Sequence, residues 1–307
     1  MTDLLVMDTD RFIVLRSGDL RLYLCVPDSA GGYYLGTRFD HAGVFRRIEY
    51  KGEAFADEWF ADYDPYRHDC LTGPVEEFSQ NGYDETLPGG IFLKPGVGLL
   101  RREDDSPYDW FHRYEIVDEG ERTLKTDGVS AVFGQRLSGD GFAYEYSKTV
   151  AIEREDGIFS IRHRFHNKGK RAISGYVYNH NFFTLADSRV GAATKVDFPF
   201  PPSGHWRSEY DSVALSGGGI RFSRDLREGE TVYMGDLHSG NLDNDYSFRL
   251  CNEENGLGVG VLSDARMHHA VFWAISRVAC VEPHTILDVA PGQSVAWTVF
   301  YRLSDNY

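Results

Sequence analysis

One segment of the sequence places a histidine among amides and aromatic rings: Tyr178-Asn-His180-Asn-Phe-Phe183. An imidazole titrates near neutral pH, so a histidine in these surroundings can give a proton to a ligand oxygen or take one from it. A core histidine whose ring nitrogens meet backbone carbonyls would show the same pattern. His180 is therefore a candidate proton donor, and a purely structural role is the alternative.

A second segment, Val278 to His284, is an apolar stretch that runs into Glu282 and is followed at once by Pro283. A carboxyl group at the end of a buried strand loses contact with water. Desolvation raises its pKa toward the range in which it works as a general base. A strand-end glutamate that points at solvent is the alternative for Glu282.

The elements that carry these residues have the pattern of β-strands. Alternation with a period of two recurs along the chain, whereas apolar residues at helical spacing are rare. The strand from Ile158 to Phe165, the turn Asn167-Lys-Gly169 and the strand from Ala172 to Tyr178 predict a hairpin. Ser294 to Leu303 predicts a long final strand with one apolar face. Many antiparallel strands with short turns predict an all-β fold, a large antiparallel β-sandwich or barrel, and we expect residues 1–307 to form one domain.

Composition excludes several classes of partner. The formal net charge of −15, from 32 basic and 47 acidic side chains, opposes binding to phosphate backbones and anionic lipids. We therefore expect no nucleic acid and no membrane partner. The N-terminal residues lack a signal-like pattern and no long apolar run occurs later, which predicts a cytoplasmic protein. The sequence leaves open whether the chain forms a homodimer.

Motifs for metals and cofactors are absent from the sequence. It contains no His-Glu-x-x-His, no glycine-rich phosphate loop and no Gly-x-Ser-x-Gly. The four cysteines lie far apart without a Cys-x-x-Cys pair, so we expect buried thiols and no zinc site. We predict no cofactor.

The two segments, taken in order, resemble the aldose 1-epimerase (galactose mutarotase) family. That family has an Asn-containing turn that leads into an Asn-His-x-aromatic-Phe motif, matched here by Asn167-Lys-Gly169 and the residues from Asn179 to Phe183. Its final Cys-Leu-Glu-x-Gln motif precedes a Pro-Gly turn, matched by the residues from Cys280 to His284 and by Pro291-Gly292.

The resemblance covers mainly residues 158–187 and 241–307. It implies the galactose mutarotase-like supersandwich, with His180 as general acid and Glu282 as general base. It also implies a sugar hydroxyl ligand at Asp245, which precedes Phe248 by three positions as in the family's Asp-x-x-Phe segment. A turn residue is the alternative for Asp245.

The N-terminal half departs from the family. The strings Gly-Arg-x-x-Asn-Arg and Leu-His-Gly-Gly, which supply a binding arginine and a second histidine, are absent. Lys94 is the expected replacement donor, with Arg101, Arg102 and His112 as alternatives. Lys94 and the two arginines would suit a phosphate or uronate group, or they form a solvated basic edge.

Further sugar ligands follow from strand geometry and ring type. Glu76 and Glu77 are adjacent, so on a strand they point to opposite faces and at most one lines the groove. Trp273 or Trp206 would stack on the sugar. The predicted substrate-binding residues are thus Asp245, Lys94, Asn179, Glu77, Arg102 and Trp273.

The predicted function is interconversion of the anomers of a sugar, with the N-terminal departures favouring an anionic or otherwise modified one. Glu282 would take the proton of the anomeric hydroxyl while His180 protonates the ring oxygen, with a single pyranose between them. A non-catalytic sugar-binding module on the same fold is one alternative. A glycoside-cleaving enzyme that pairs Glu282 with Glu76 or Glu77 is the other.

Overall fold

The computed structural model describes residues 12–28, 30–241 and 243–306. These residues form 23 β-strands: β1 Phe12–Ser17, β2 Leu20–Cys25, β3 Phe45–Tyr50, β4 Glu53–Ala56, β5 Val75–Phe78, β6 Ile91–Lys94, β7 Gly98–Arg101, β8 Ile116–Asp118, β9 Glu121–Thr126, β10 Ser130–Gly139, β11 Phe142–Ile152, β12 Ile158–Asn167, β13 Ile173–His180, β14 Thr194–Asp197, β15 Ser203–Trp206, β16 Val213–Ser216, β17 Gly219–Phe222, β18 Val232–His238, β19 Asn244–Asn252, β20 Leu257–Met267, β21 His269–Ile275, β22 Val278–Val289 and β23 Ser294–Ser304. Within the described ranges there is no helix with the length and apolar character needed to cross a membrane.

The strands form four antiparallel sheets. Ten strands make the largest, in the order β16-β17-β14-β19-β20-β23-β12-β11-β10-β9. Six make the second, in the order β15-β18-β21-β22-β13-β5. Strands β1 to β4 and β6 to β8 form two smaller sheets. The predicted all-β antiparallel architecture is confirmed.

The ten-stranded and six-stranded sheets pack face to face, which makes the molecule a β-sandwich. Phe78 on β5 lies between them, with its ring centroid 5.5 Å from that of Tyr146 on β11 and 6.2 Å from that of Phe165 on β12. The predicted apolar face of the last strand supplies Trp297 and Tyr301 to the same buried core. Alternation along each strand therefore separates core side chains from outer ones.

The predicted hairpin between residues 158 and 178 is wrong. β12 lies in the ten-stranded sheet between β11 and β23, and β13 lies in the six-stranded sheet between β22 and β5. The turn after β12 carries the chain from one sheet to the other. It is held by Asn167, whose side-chain amide donates to the carbonyls of Arg171 at 2.8 Å and Val289 at 2.7 Å. A turn signal reports a chain reversal and not the partner of the next strand.

Charged side chains are buried between the two large sheets. Lys148 on β11 contacts the carboxylate of Glu76 on β5 and donates to the carbonyl of Ala42 at 2.8 Å. His163 on β12 places Nε2 3.3 Å from Oε1 of Glu76. Full burial of charge is tolerated only where partners replace water. The predicted buried thiols are confirmed, since Cys25, Cys70, Cys251 and Cys280 are all free and buried.

Candidate active site

The register of two neighbouring strands brings His180 and Glu282 together. β13 and β22 pair so that Tyr178 lies opposite His284, and the same antiparallel register two residues further places His180 opposite Glu282. Directly opposed side chains share one face of a sheet. Nε2 of His180 is 3.2 Å from Oε1 of Glu282. Two residues far apart in sequence thus become one cross-strand pair.

The pair lies on the outer face of the six-stranded sheet, the face turned away from the ten-stranded one. Glu77 on β5 is opposite Tyr178, and Val271 on β21 is opposite Glu282. Trp273, two residues after Val271, points to the same side because strand side chains alternate. The outer face of this sheet therefore provides the floor of a candidate site.

Loops, most of them from the N-terminal half of the chain, close this floor into a cavity of about 470 Å³. Residues of the sheet and its strand ends supply one set of lining side chains: Glu77, Ser79, Tyr176, Tyr178, His180, Phe182, Tyr233, Val271, Trp273, Glu282 and His284. Loops supply the other set: Arg38, Trp59, His68, Asp69, Trp110, Phe111 and Arg207. A partly apolar cavity with convergent polar groups is the usual form of a small-molecule site.

Aromatic rings enclose the imidazole of His180. It stacks on Phe182 with ring centroids 3.8 Å apart, and the ring of Phe39 is nearly perpendicular to it with centroids 5.7 Å apart. Burial, reinforced by the positive charge of Arg38, holds the pKa of His180 well below its usual range. Among the described residues no hydrogen-bond partner lies next to its Nδ1. The neutral ring is therefore favoured.

Glu282 has the opposite shift. Burial raises its pKa to about 8; Arg38 opposes this shift and Glu77 adds to it. At neutral pH the two residues together hold one proton, with the carboxyl group as its preferred place. A pair that holds one proton can donate at one position and accept at the other.

A second carboxylate in the cavity is fixed in the ionised form. Glu77 loses hydration on burial, but Lys94 and Arg38 outweigh that loss and lower its pKa to about 2. Lys94 Nζ lies 3.0 Å from Oε1, Arg38 Nε lies 2.6 Å from Oε2, and Tyr178 donates its hydroxyl to the same oxygen. Glu77 is therefore an oriented hydrogen-bond acceptor on the cavity wall.

Lys94 itself does not line the cavity. Its side chain is fully buried behind Glu77, so neither the predicted direct contact with a sugar nor the alternative of a solvated basic edge fits its position. Burial lowers the pKa of the Lys94 ammonium group below its usual value, and the carboxylate of Glu77 offsets that effect only in part. Lys94 acts on the site by holding Glu77.

Arg38 is a central site residue that the sequence analysis did not predict. Nη2 donates to the hydroxyl of Tyr178 at 2.9 Å, and the guanidinium lies 4.6 Å from the ring centroid of Phe39. The available signal was Gly36-Thr-Arg38, which has the glycine and arginine of the family string with one extra residue between them. A literal match to the string cannot find it.

Three predicted sugar ligands lie away from the cavity. Asn179 points into the core, where it donates to Glu76 at 2.9 Å, because it neighbours His180 on a strand. Arg102 donates to the carbonyls of Tyr83 and Thr86 in its own loop region. Asp245 lies on strand β19, where its side chain is 66% exposed and ion-paired with Arg266, so neither the predicted sugar ligand nor the turn alternative fits its position.

The remaining predicted positions divide in the same way. Trp273 lines the cavity, as predicted for a stacking ring, whereas Trp206 packs on Tyr210 with centroids 5.7 Å apart. Glu77 lines the cavity and Glu76 does not, as alternation on β5 requires. Four predicted residues are thus brought together: His180, Glu282, Glu77 and Trp273.

The similarity of this chain to known proteins is one of structure. No protein-family model matches the sequence, and no curated protein matches it. Among solved structures, a galactose mutarotase related enzyme from Lactobacillus acidophilus superposes with a TM-score of 0.56 at 10% identity, covering 96% of this chain and 98% of that one. A galactose mutarotase-like protein from Clostridium acetobutylicum gives 0.57 at 12% identity, covering 96% and 95%.

A galactose mutarotase-like protein from Lactobacillus casei gives a TM-score of 0.55 at 9% identity, covering 95% of this chain and all of that one. The chain has the galactose mutarotase-like fold. Coverage near the full length of each neighbour means that the shared architecture includes both large sheets. At these identities the likeness concerns the architecture, and chemistry has to be argued from the site.

Proposed function

We propose that this chain is an aldose 1-epimerase-like enzyme that interconverts the anomers of a sugar. The observation that carries the proposal is the contact between His180 and Glu282 on the wall of a cavity with aromatic and polar lining. Their opposite pKa shifts provide one proton donor and one proton acceptor at the same place. The solved structures that share this fold are described as mutarotase related or mutarotase-like, which is consistent with the proposal.

The contact changes the expected position of the sugar. A pyranose does not fit between two side chains whose atoms are 3.2 Å apart, so the sugar must lie against the pair and not inside it. The anomeric hydroxyl and the ring oxygen are both bonded to the anomeric carbon. One pair of neighbouring side chains can therefore reach both oxygens at once.

The part of the protein in this reaction is limited to proton transfers. In the proposed direction Glu282, ionised, takes the proton of the anomeric hydroxyl, and His180, protonated, gives its proton to the ring oxygen. The bond between the anomeric carbon and the ring oxygen breaks, and the open-chain aldehyde forms. Rotation next to the carbonyl and closure on its other face, with the two roles exchanged, give the other anomer. Moving the pair's proton from Glu282 to His180 prepares this state without change of net charge.

Arg38, Glu77 and Tyr178 would orient the sugar. Glu77 is a fixed acceptor for sugar hydroxyls, and Arg38 and Tyr178 are donors beside it. Trp273 provides an aromatic wall for the apolar face of the ring. Orientation of the anomeric centre against the acid and base lowers the entropic part of the barrier.

Anomer exchange measured by NMR tests the proposal. The panel consists of neutral, phosphorylated and uronic sugars, each observed with and without the protein. We expect at least one sugar to exchange faster in proportion to protein concentration. Saturable binding without acceleration of any sugar would contradict the proposal and would favour the non-catalytic binding module.

Glycoside cleavage is the second candidate, favoured by one observation. Glu77 and Glu282 line the same cavity with pKa values moved apart, to about 2 and about 8, which is the division of roles that paired carboxylates need. Against it, both oxygens of Glu77 are engaged by Lys94, Arg38 and Tyr178. New reducing ends released from oligosaccharides would establish this activity in place of anomer exchange.

A further inference from the structure

Two large aromatic side chains stand exposed at the mouth of the cavity. Trp110 is 54% exposed and Phe111 is 62% exposed, and both line the cavity. Leaving such rings in water forgoes the free energy of burial. Clustered exposed apolar groups beside a binding cavity are typical of a surface that binds a ligand or a partner.

The loop that carries these rings is held in place. The amide of Phe111 donates to the Asp109 carboxylate at 2.9 Å, and the amide of Tyr114 donates to the hydroxyl of Thr37 at 3.1 Å. Tyr108 and Tyr114 stack with centroids 5.3 Å apart and planes 7° apart. The rings are therefore presented by an ordered loop, which reduces the entropy lost on binding.

The exposed rings are continuous with the proposed catalytic site. The ring of Phe111 lies 4.4 Å from that of His68, and the guanidinium of Arg38 lies 5.6 Å from the Phe111 centroid. Asp69 and Arg207 line the same cavity and add polar groups to it. An aromatic surface flanked by hydrogen-bonding groups matches a pyranose, which has an apolar face of C–H bonds and a rim of hydroxyls.

We infer that Trp110 and Phe111 form an outer subsite for the second sugar ring of a reducing disaccharide or longer oligosaccharide, whose reducing end lies against His180 and Glu282. This inference rests on the proposed function. Trp110 stacks on the apolar face of the second ring, and Asp69 and Arg207 meet its hydroxyls. The substrate class is therefore an oligosaccharide with a free reducing end.

Matched sugars test the outer subsite. Exchange rates are measured by NMR for glucose, galactose, mannose and xylose, and for cellobiose, galactobiose, mannobiose and xylobiose, which end in the same four sugars. For the accelerated pair we expect kcat/KM of the disaccharide to exceed that of the monosaccharide about tenfold, equal to about 1.4 kcal/mol. Trp110→Ala should remove this ratio. Leu87→Ala, which alters a side chain that is 81% exposed and outside the cavity, should keep it.

The outcomes separate the two proposals. Acceleration of both sugars with a ratio near one, or with a ratio that Trp110→Ala leaves intact, overturns the outer subsite and leaves the proposed function standing. If none of these eight sugars is accelerated, calorimetric Kd values for the same pairs decide the subsite, which stands if the disaccharide binds about tenfold more tightly and Trp110→Ala abolishes the difference, and falls otherwise. The proposed function is overturned only if the phosphorylated and uronic sugars are not accelerated either.

Discussion

In the proposed mechanism, burial prepares His180 and Glu282 as acid and base without a third charged residue in contact. Each side chain in isolation would be ionised or half-ionised near neutral pH. Enclosed by Phe182, Phe39 and the sheet, both are driven toward their neutral forms. The pair then differs from its reactive form only by the transfer of one proton from Glu282 to His180, whose Oε1 and Nε2 atoms are 3.2 Å apart.

The pH dependence of the reaction follows from this single proton. Activity requires one proton on the pair, and loss of the Glu282 proton removes it, so kcat/KM should fall as pH rises through about 8. The lowered pKa of His180 keeps a second proton away until the pH is well below 6.5. Initial rates with buffer and hydroxide catalysis subtracted give the profile. A rise in kcat/KM through pH 8 would contradict the assignment.

Ionisation of the buried Glu282 carboxyl group should also lower the stability of the fold at high pH. Its pKa in the folded protein, about 8, lies above the ordinary value of 4.5, so its contribution is fully favourable below pH 4.5 and is lost as pH rises through about 8. Glu282→Gln cannot ionise. We expect this variant to gain on the order of 4 kcal/mol in unfolding free energy over wild type between pH 5 and pH 9.

Urea denaturation at the two pH values measures this gain. Glu209→Gln, at an exposed glutamate, is the matched control and should track wild type at both. A Glu282→Gln variant whose stability difference from wild type is the same at pH 5 and pH 9 would show that the carboxyl group is not perturbed in the fold.

At the scale of the element, β5 divides two charged residues between two tasks. Alternation turns Glu77 outward to the cavity and Glu76 inward to the interface of the sheets. Lys94 and Arg38 neutralise the first, and Lys148 neutralises the second, with the imidazole of His163 beside it. A strand of four residues thus links the site to the packing of the whole sandwich.

Removing one member of the inner pair should be costly. Lys148→Met leaves the buried Glu76 carboxylate without its cation, and we expect a loss of about 3–5 kcal/mol in unfolding free energy. Adding Glu76→Gln to this variant should recover part of that loss, because no buried charge then remains unpaired. Urea unfolding followed by circular dichroism gives the three values.

A surface pair provides the control for that series. Lys168 lies 2.8 Å from Glu145 in an exposed position, so Lys168→Met should cost less than about 1 kcal/mol. Equal losses of unfolding free energy for Lys148→Met and Lys168→Met would show that the buried pair contributes no more to stability than the surface pair.

For the molecule as a whole, the sequence predicts strands well and their partners poorly. Alternation along 158–165 and 294–303 identifies β12 and β23 and their apolar faces. The turn at Asn167 could not reveal that the next strand joins the other sheet, because strand pairing is decided by contacts distant in sequence. The pairing of β13 with β22 is such a contact, and it positions His180 against Glu282.

The sequence could predict those residues of the candidate site that lie on recognisable strands. These residues reach one cavity, and they are His180, Glu282, Glu77 and Trp273. Arg38 comes from a loop without periodicity, so its position depends on the packing of the whole chain. Lys94 has the appearance of a surface lysine in sequence, since only the fold brings its ammonium group to Glu77.

The most direct test of the account compares anomer exchange by NMR for wild type, Glu282→Gln and His180→Asn, with circular dichroism to confirm that each variant is folded. We predict that wild type accelerates exchange of at least one sugar and that each substitution lowers kcat about 100-fold or more. The double variant should be little slower than either single one, since the two residues act as a unit. Acceleration that survives both substitutions would contradict the assignment of His180 and Glu282 as the acid and base.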